Sequence, residues 1–577
     1  MLFMYLHKSK RKDGRVYLSC VHGYRDGSKV RSKTIESFGY VCELEKKYPD
    51  PIAHFKAVVD EMEAERKSVE ASFSVTIDPR TSLKDRANRK NFGFCALSAI
   101  YHELGLDWFF NNRRDKTCAK YNVSSILKLL VYGRILDPSS KKKTWEGRKN
   151  YFEKFDFSLD DVYRTLPTLA GLSEDLQLFL HNRISKVYGR DAELVYYDVT
   201  NYYFESDVRS DLREKGFSKD GKADPIVSMG LLTDQAGIPI AFDLFAGNTV
   251  DSKTFLPVLS RIKRNFSLKR VVVVADRGIN TSDNIAYSII NKDGYLFSRS
   301  VKQVDAKCRD WVLNKNSYHA LNKDTFVKSR IATRSLYLEG VDGKKKPIPV
   351  SERQVAVWSR KYARRQIKKR ALDIEKAQML IGDASRYCKA THSGAARFVK
   401  GLCINEKTGE ILEGKQIRTL DIKRIEQEEK LDGFYILTTS EKNKSPQELI
   451  GMYANLWKIE DAFRVTKSDL KSRPVYLSRD DHIKAHFLTC FIALTIMRIL
   501  EMKTGYKHST PSLIEAMKRA SASHLEENLW LFDYTSPILE DIGKASNIDF
   551  SRKYMRTQEI RKVVGSSKKQ ISVTNKK

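Results

Sequence analysis

Polar and apolar positions alternate through the first fifty residues, in RVYLSCV and again in KVRSKTIESFG, with Asp26-Gly27 between them. β-Branched and aromatic residues in such runs predict strands, and a D-G pair between two of them predicts a hairpin. From 52 to 190 the apolar spacing changes to three and four, as in SSILKLLVYGRILD and SEDLQLFLHNRISKVYG, and glycine is sparse. That period predicts helices. Between 191 and 300 strands return in ELVYYDVTNYYFE, PIVSMGLLTD, IPIAFDLFAGN, RVVVVADRGI and YLFSRSV. Two helical stretches, DSKTFLPVLSRIKRNF and SDNIAYSIINK, separate the later ones.

Three strands able to run as a meander, then alternating helix and strand, describe an α/β fold with a mixed sheet of the ribonuclease H type. The alternation stops at 301–430, which holds the basic helical segment WSRKYARRQIKKRALDIEKAQML and the strand-like tract FVKGLCINEKTGEILEGKQIRTLDI. A structureless loop of that length is implausible, so an inserted domain is expected to interrupt the sheet there. FYILTTS resumes the sheet, and the helical stretch YANLWKIEDAFRVTK follows. The expected organisation is a β-rich basic module (1–51), a helical domain expected to bind DNA (52–190), a catalytic core in two parts (191–300 and 431–510) around the insertion, and a helical C-terminal region with a basic tail (511–577).

The composition adds a partner. The chain has 577 residues, 41% of them hydrophobic, enough for several cores. Its 103 Lys and Arg against 72 Asp and Glu leave a formal charge of +31, which calls for a polyanion, with nucleic acid ahead of a membrane surface. Lys8, Lys10, Arg11, Lys12, Arg15, Arg25, Lys29, Arg31 and Lys33 make the first module basic, as a DNA contact or as a solvated surface. Eight scattered cysteines without a C-x-x-C pair suggest neither a zinc ribbon nor a disulfide framework and fit a reducing cytoplasm. The longest apolar stretch, FLTCFIALTIMRIL, has fourteen residues and contains Arg498, so no membrane segment is expected.

Three carboxylates stand out against this background. Asp198 lies inside an aromatic strand, where an unpaired charge is costly. Asp276 ends a run of nearly pure valine, at a sheet edge where ligands gather, although a strand-ending aspartate is often only a turn residue. Glu460 belongs to a helix whose start is marked by Ser445, Pro446 and Glu448, a capping box with proline at the first helical position. Two aspartates at strand ends and a distant glutamate can hold two Mg²⁺ ions for an in-line phosphoryl displacement, with Mn²⁺ as a substitute. Tyr453, Glu460 and Lys467 are seven apart, hence on one helix face, with Arg464 close to it. That stripe is either a face that binds phosphates or a solvated one with an incidental pair between Glu460 and Arg464. Asp243, Asp251 and Glu205 are weaker candidates, open to surface, pairing or capping roles.

The blocks YYDVTNYYFES, VSMGLLTDQAGIPIAFDLFAGNTVDSKTF, VVVVADRGINTSDNI and YANLWKIEDAFRVTKSDLKSRPVYLSRDDHIKAHFLTCFIAL resemble those of DDE transposases of prokaryotic insertion sequences. The resemblance is to the superfamily of insertion sequence four and, within it, the group numbered sixteen thirty-four. It implies Asp198, Asp276 and Glu460 as the catalytic, metal-holding triad, with an insertion before the glutamate. It also implies a Tyr-Arg-Glu-Lys signature on the last catalytic helix, which Tyr453, Glu460 and Lys467 match. The arginine position is Leu456 here, leaving that phosphate contact absent or supplied by another residue such as Arg464. In related transposases a tryptophan of the insertion can stack on a flipped base, for which Trp311 and Trp358 are candidates, although a core or surface role is the ordinary reading of each.

The expected activity is cut-and-paste transposition of double-stranded DNA. The resemblance also implies a homodimer that pairs the element ends, at the nucleoid of a prokaryotic cytoplasm. Two rivals stay open: a ribonuclease H-like nuclease without strand transfer, and a catalytically idle DNA-binding relative.

Overall fold

The alternation in residues 4–40 becomes a three-stranded antiparallel sheet of β1 (Met4–Lys10), β2 (Val16–Asp26) and β3 (Lys29–Tyr40), in that order. It belongs to the first of two compact units, Met1–Asp85 and Arg86–Lys577. The structure is a computed structural model. It describes residues 4–11, 13–26, 29–71, 88–113, 121–216, 224–266, 270–340, 343–382, 394–400, 418–525 and 528–569. Asp26 pairs with Lys29, so β2 and β3 form the hairpin that the D-G signal predicts, although Gly27 itself lies outside the described residues. Leu18 and Cys20, two apart on β2, are fully buried. Helix α1 (Pro51–Ala71) begins with the Asp50 carboxylate accepting from the Ile52 and Ala53 amides, and it stacks Phe55 on Phe38 at 4.4 Å. The expected helical domain therefore loses its first helix to the basic module, because α1 covers the small sheet.

In the second unit a short strand, β4 (Arg89–Asn91), precedes α2 (Phe94–Glu103), α3 (Val123–Leu136), α4 (Leu159–Gly171) and α5 (Ser173–Tyr188). Gly189, at φ 65°, ends α5 in the left-handed conformation that glycine adopts without penalty. Residues 191–300 then give β5 (Leu194–Tyr203), β6 (Ile226–Asp234), β7 (Pro239–Ala246), α6 (Asp251–Phe266), β8 (Val272–Ala275), α7 (Ser282–Ile290) and β9 (Gly294–Arg299). β5, β6 and β7 form an antiparallel meander, and β8 and β9 join parallel to β5. Helices cover both faces, so β8 is wholly buried. Along β5, Val195, Tyr197 and Val199 pack towards α6 and α7, while Tyr196 and Tyr202 enter the other core.

The segment 301–430 does more than interrupt this sheet. After α8 (Ala306–Leu313) come β10 (His319–Asn322), β11 (Thr325–Glu339) and β12 (Lys345–Ser359), followed by helix α9 (Arg360–Gly382) and two short strands, β13 (Val399–Lys400) and β14 (Thr419–Leu420). β15 (Phe434–Thr439) pairs with β9 on one side and with Arg353–Trp358 of β12 on the other. The sheet thus runs to nine strands, β10-β11-β12-β15-β9-β8-β5-β6-β7. The reason is physical: β15 would otherwise leave an open edge, and β12 covers it. Most of the strand-like tract that ends this segment, 401–417, lies outside the described residues.

The remaining elements are α10 (Pro446–Ala454), α11 (Trp457–Arg464), α12 (Asp480–Lys503), α13 (Thr510–Arg519), β16 (Ser521–His524), β17 (Leu529–Phe532), α14 (Pro537–Ser546), β18 (Tyr554–Arg556) and α15 (Thr557–Ser567). By length and composition α12 is apolar enough to cross a membrane, yet it is buried inside the protein, against α3 and α4. Its Arg498 is neutralised by Glu501 and Asp461, both at 2.7 Å. The C-terminal region is not only helical: β18, β17 and β16 complete a four-stranded sheet with β4. Strands of three or four residues are too short to show a period in the sequence.

Candidate active site

Two of the three carboxylates meet through strand register. β5 and β8 run parallel with Leu194 opposite Val272 and Tyr197 opposite Ala275, so the next residues are Asp198 and Asp276. Neighbouring strands lie about 4.8 Å apart, and laterally paired residues project to one side. β9 continues the row, because Ala275 lies opposite Phe297 and Ser298 comes next. The Ser298 hydroxyl donates to Asp276 Oδ1 at 2.9 Å. Asp198 is half-buried and accepts from the Val199 amide at 2.7 Å, whereas Asp276 is exposed at the start of a short 3₁₀ turn.

The helix over this row starts where the sequence places it. The Ser445 hydroxyl accepts from the Glu448 amide, the Glu448 carboxylate accepts from the Ser445 amide, and Pro446 occupies the first turn. It does not continue as one α-helix. Around Asn455 and Leu456 the bonds shorten to i→i+3, from Leu456 to Tyr453, Lys458 to Asn455 and Ile459 to Leu456. After α11, Val465–Asp469 widens into a π turn, with the Leu470 amide bonded to the Val465 carbonyl at 2.9 Å. The two-turn spacing assumed for Tyr453, Glu460 and Lys467 therefore does not describe their placement, since 3₁₀ and π turns rotate side chains by a different angle per residue.

The Tyr453 hydroxyl donates to Asp276 Oδ1 at 3.3 Å. Burial, and then the Asp276 charge, push its pKa well above the usual tyrosine value, so it stays a donor. The Lys467 ammonium sits over the Tyr202 ring at 5.4 Å, on the strand that carries Asp198. Glu460 is exposed on α11, which packs against β5 and β6. Tyr196 and Tyr202, on the Asp198 face of β5, grip this helical stretch on either side of Glu460. The first donates to the Met452 carbonyl at 3.1 Å, and the second bonds the Thr466 hydroxyl at 2.9 Å. Among the described residues no three or more His, Cys, Asp or Glu side chains are grouped to hold a metal ion. Strand register sets Asp198 beside Asp276, and Tyr453 reaches Asp276 from the helix above.

The other candidates have ordinary partners. Arg464 is engaged by Asp461 at 2.9 Å and Asp469 at 3.2 Å, and Leu456 is buried at the bend. Asp243 pairs with Arg261 at 3.1 Å, Glu205 accepts from the Tyr476 hydroxyl at 3.1 Å, and Asp251 begins α6. Trp311 carries the Arg330 guanidinium over its ring at 4.0 Å, and the Trp358 ring N–H donates to the Asp432 carbonyl at 3.1 Å. Sequence reasoning missed Ser298, as well as Asn280, whose amide bonds the Ser298 carbonyl at 2.9 Å and whose oxygen takes a bond from Arg334 at 2.8 Å. One signal for Ser298 was available: it lies four residues after Gly294, as Asp276 does after Val272 and Asp198 after Leu194.

The family described as Transposase DDE domain matches residues 206–496, half of the chain and the part that contains Asp276 and Glu460. IS1634 family transposase, N-terminal domain, matches residues 6–72. The chain belongs to the DDE transposases of the IS1634 group. In this transposase Asp198 precedes the matched segment by eight residues. Among solved structures, it is similar to a piggyBac transposase synaptic complex with hairpin DNA, at 8% identity and a TM-score of 0.32, covering 89% of this chain and 81% of that one. It is also similar to a Mos1 transposase paired-end complex with left transposon end, at 12% identity and a TM-score of 0.14, covering 41% and 65%. No curated protein matches the transposase.

Proposed function

We propose that this transposase cuts double-stranded DNA at the ends of its own element and joins the freed 3′-hydroxyls to target DNA, on a ribonuclease H-like core extended by the 301–430 insertion. The observation that carries the reading is the row Asp198, Asp276, Ser298, side by side across the parallel strands β5, β8 and β9 where β8 ends, with the Tyr453 hydroxyl on Asp276. Carboxylate oxygens, such as those of half-buried Asp198 and exposed Asp276, are the hard donors that Mg²⁺ or Mn²⁺ takes. Asp198, Asp276 and Glu460 would hold two such ions. Bound there, the metal would neutralise charge on the attacking and leaving oxygens of the phosphodiester. Ser298 fixes the Asp276 carboxylate, and Tyr453 passes its hydroxyl from Asp276 to a phosphate oxygen of the DNA end. Lys467 supplies positive charge beside it. Arg464 reaches a phosphate only by leaving Asp461 and Asp469. The same reading includes a homodimer that pairs two ends, at work on the nucleoid of a prokaryotic cytoplasm.

A second reading, an idle DNA-binding relative, draws on Leu456 at the signature arginine position. Strand transfer separates the two. Duplexes copying the DNA that flanks the coding segment, pre-cut to expose a 3′-hydroxyl, are incubated with supercoiled plasmid and Mg²⁺. Joined products are expected from the wild type. Asp276→Asn, which removes a ligand charge and little shape, should lose at least about a hundredfold in rate while binding the ends as before. A wild type that binds these ends and never joins them supports the idle reading instead.

A further inference from the structure

Helix α9 opens with RKYARRQIKKR, and its charges divide by face. At 100° per residue Ala363, Arg370, Asp373, Ala377 and Leu380 gather on one side, and all are buried. The cation on that side is neutralised: Arg370 makes two bonds to Asp432, at 2.7 and 2.6 Å, while Asp373 takes Arg397 at 3.3 Å. The opposite side carries Lys361, Arg364, Arg365, Lys368, Lys369 and Lys376, all exposed and none with a carboxylate partner among the described residues. Glu375 is the one exposed carboxylate on the helix. Solvated helix faces commonly mix charge signs, and like charges three or four apart repel by a few tenths of a kcal/mol per pair. An anion lying along the face would remove that repulsion.

The position of α9 identifies the anion. Tyr362, in its first turn, lies 5.6 Å from the Tyr435 ring, which lies 6.4 Å from the Tyr453 ring, and Tyr453 touches Asp276. The first turn of α9 is therefore two ring contacts away from Tyr453, and from Lys361 to Lys376 the basic face runs for about 22 Å, roughly six base pairs of duplex. The structure assigns this face to the sugar-phosphate backbone of duplex DNA, on the stretch adjoining the reacting end. The assignment rests on the transposase reading and adds a binding surface distinct from the hairpin module.

The test uses the full chain carrying Asp276→Asn, without divalent ions, and a forty-base-pair duplex of arbitrary sequence titrated over a range of salt. Adding Lys361→Gln, Arg364→Gln, Arg365→Gln and Lys368→Gln should weaken binding at least tenfold near physiological salt. It should also flatten the log-log salt slope by about two to four, at about 0.9 per lost phosphate contact. The double variant Lys361→Gln, Lys368→Gln should give about half that change. A control with Lys518, Lys544, Lys553 and Lys562 all changed to Gln removes equal charge elsewhere and should leave the slope nearly unchanged. An equal loss in the control overturns the assignment in favour of net charge. Loss of binding to phosphatidylserine vesicles but not to DNA overturns it in favour of a membrane surface. A parent that fails to bind the duplex sinks both this assignment and the transposase reading. A parent that binds, with a quadruple variant of unchanged affinity and slope, overturns this assignment alone.

Discussion

Ser298 and Tyr453 reach the same oxygen of Asp276 from different elements, one along the sheet and one from the helix above it. They differ in what DNA would do to them, since Ser298 is buried in the row and Tyr453 faces the open end. Ser298→Ala should slow DNA cleavage about tenfold with little change in the DNA concentration needed, because it frees an oxygen of a ligand. Tyr453→Phe should slow cleavage less and raise that concentration. Single-turnover rates against DNA concentration separate the two, and the reverse pattern would exchange their roles. A different buried residue sets a pH dependence. Burial, and then Arg134, lower the Lys141 pKa from 10.5 to about 7, and His486 Nδ1 lies 3.4 Å from its ammonium. Between those values the unfolded chain binds the extra proton, so this residue's penalty is whole below pH 7 and fades as pH rises towards 10.5. Lys141→Met should therefore raise Tm by several degrees at pH 7 and by progressively less up to pH 10. A gap between the two melting curves that stays constant with pH would contradict the lowered pKa.

At the scale of elements, local signals proved reliable where a helix or hairpin begins. Asp26 facing Lys29 and the Ser445 capping box both stand where the sequence puts them, because those bonds involve residues within four positions of each other. Ser445→Ala should cost about 1 kcal/mol, read as a lower denaturant midpoint at unchanged slope. Loss of less than a few tenths would mean that packing alone holds α10. The bend at Asn455 and Leu456 and the π turn after Arg464 had no comparable signal. They arise from contacts distant in sequence: Tyr196 and Tyr202 of β5 hold Met452 and Thr466, and the turns between must fit that span.

For the whole molecule, the main surprise is how far the ends of the second unit depend on each other. β4, near residue 90, is paired by β16, and Phe92 packs on Phe532 and Phe550, with ring centroids 5.0 and 5.5 Å apart. A fragment of residues 86–577 should melt in one cooperative transition. A fragment of 86–520, which strips β16 from β4 and both α14 and α15 from α2, should lose that cooperativity or aggregate. Equal melting of the two by calorimetry would show the C-terminal region to be an appendage.

The sequence by itself determined the strand-rich start, the meander with its two following strands and the capped helix. These follow from periodicity and near-neighbour hydrogen bonds, both written within short windows. The tertiary structure alone decided that β12 covers β15, that the C-terminal region completes the sheet begun by β4, and that Ser298 and Tyr453 share Asp276. It also decided that Arg464 is held by its own aspartates. Each of those outcomes joins residues far apart in the chain, and such pairings are selected by burial and register across the whole fold.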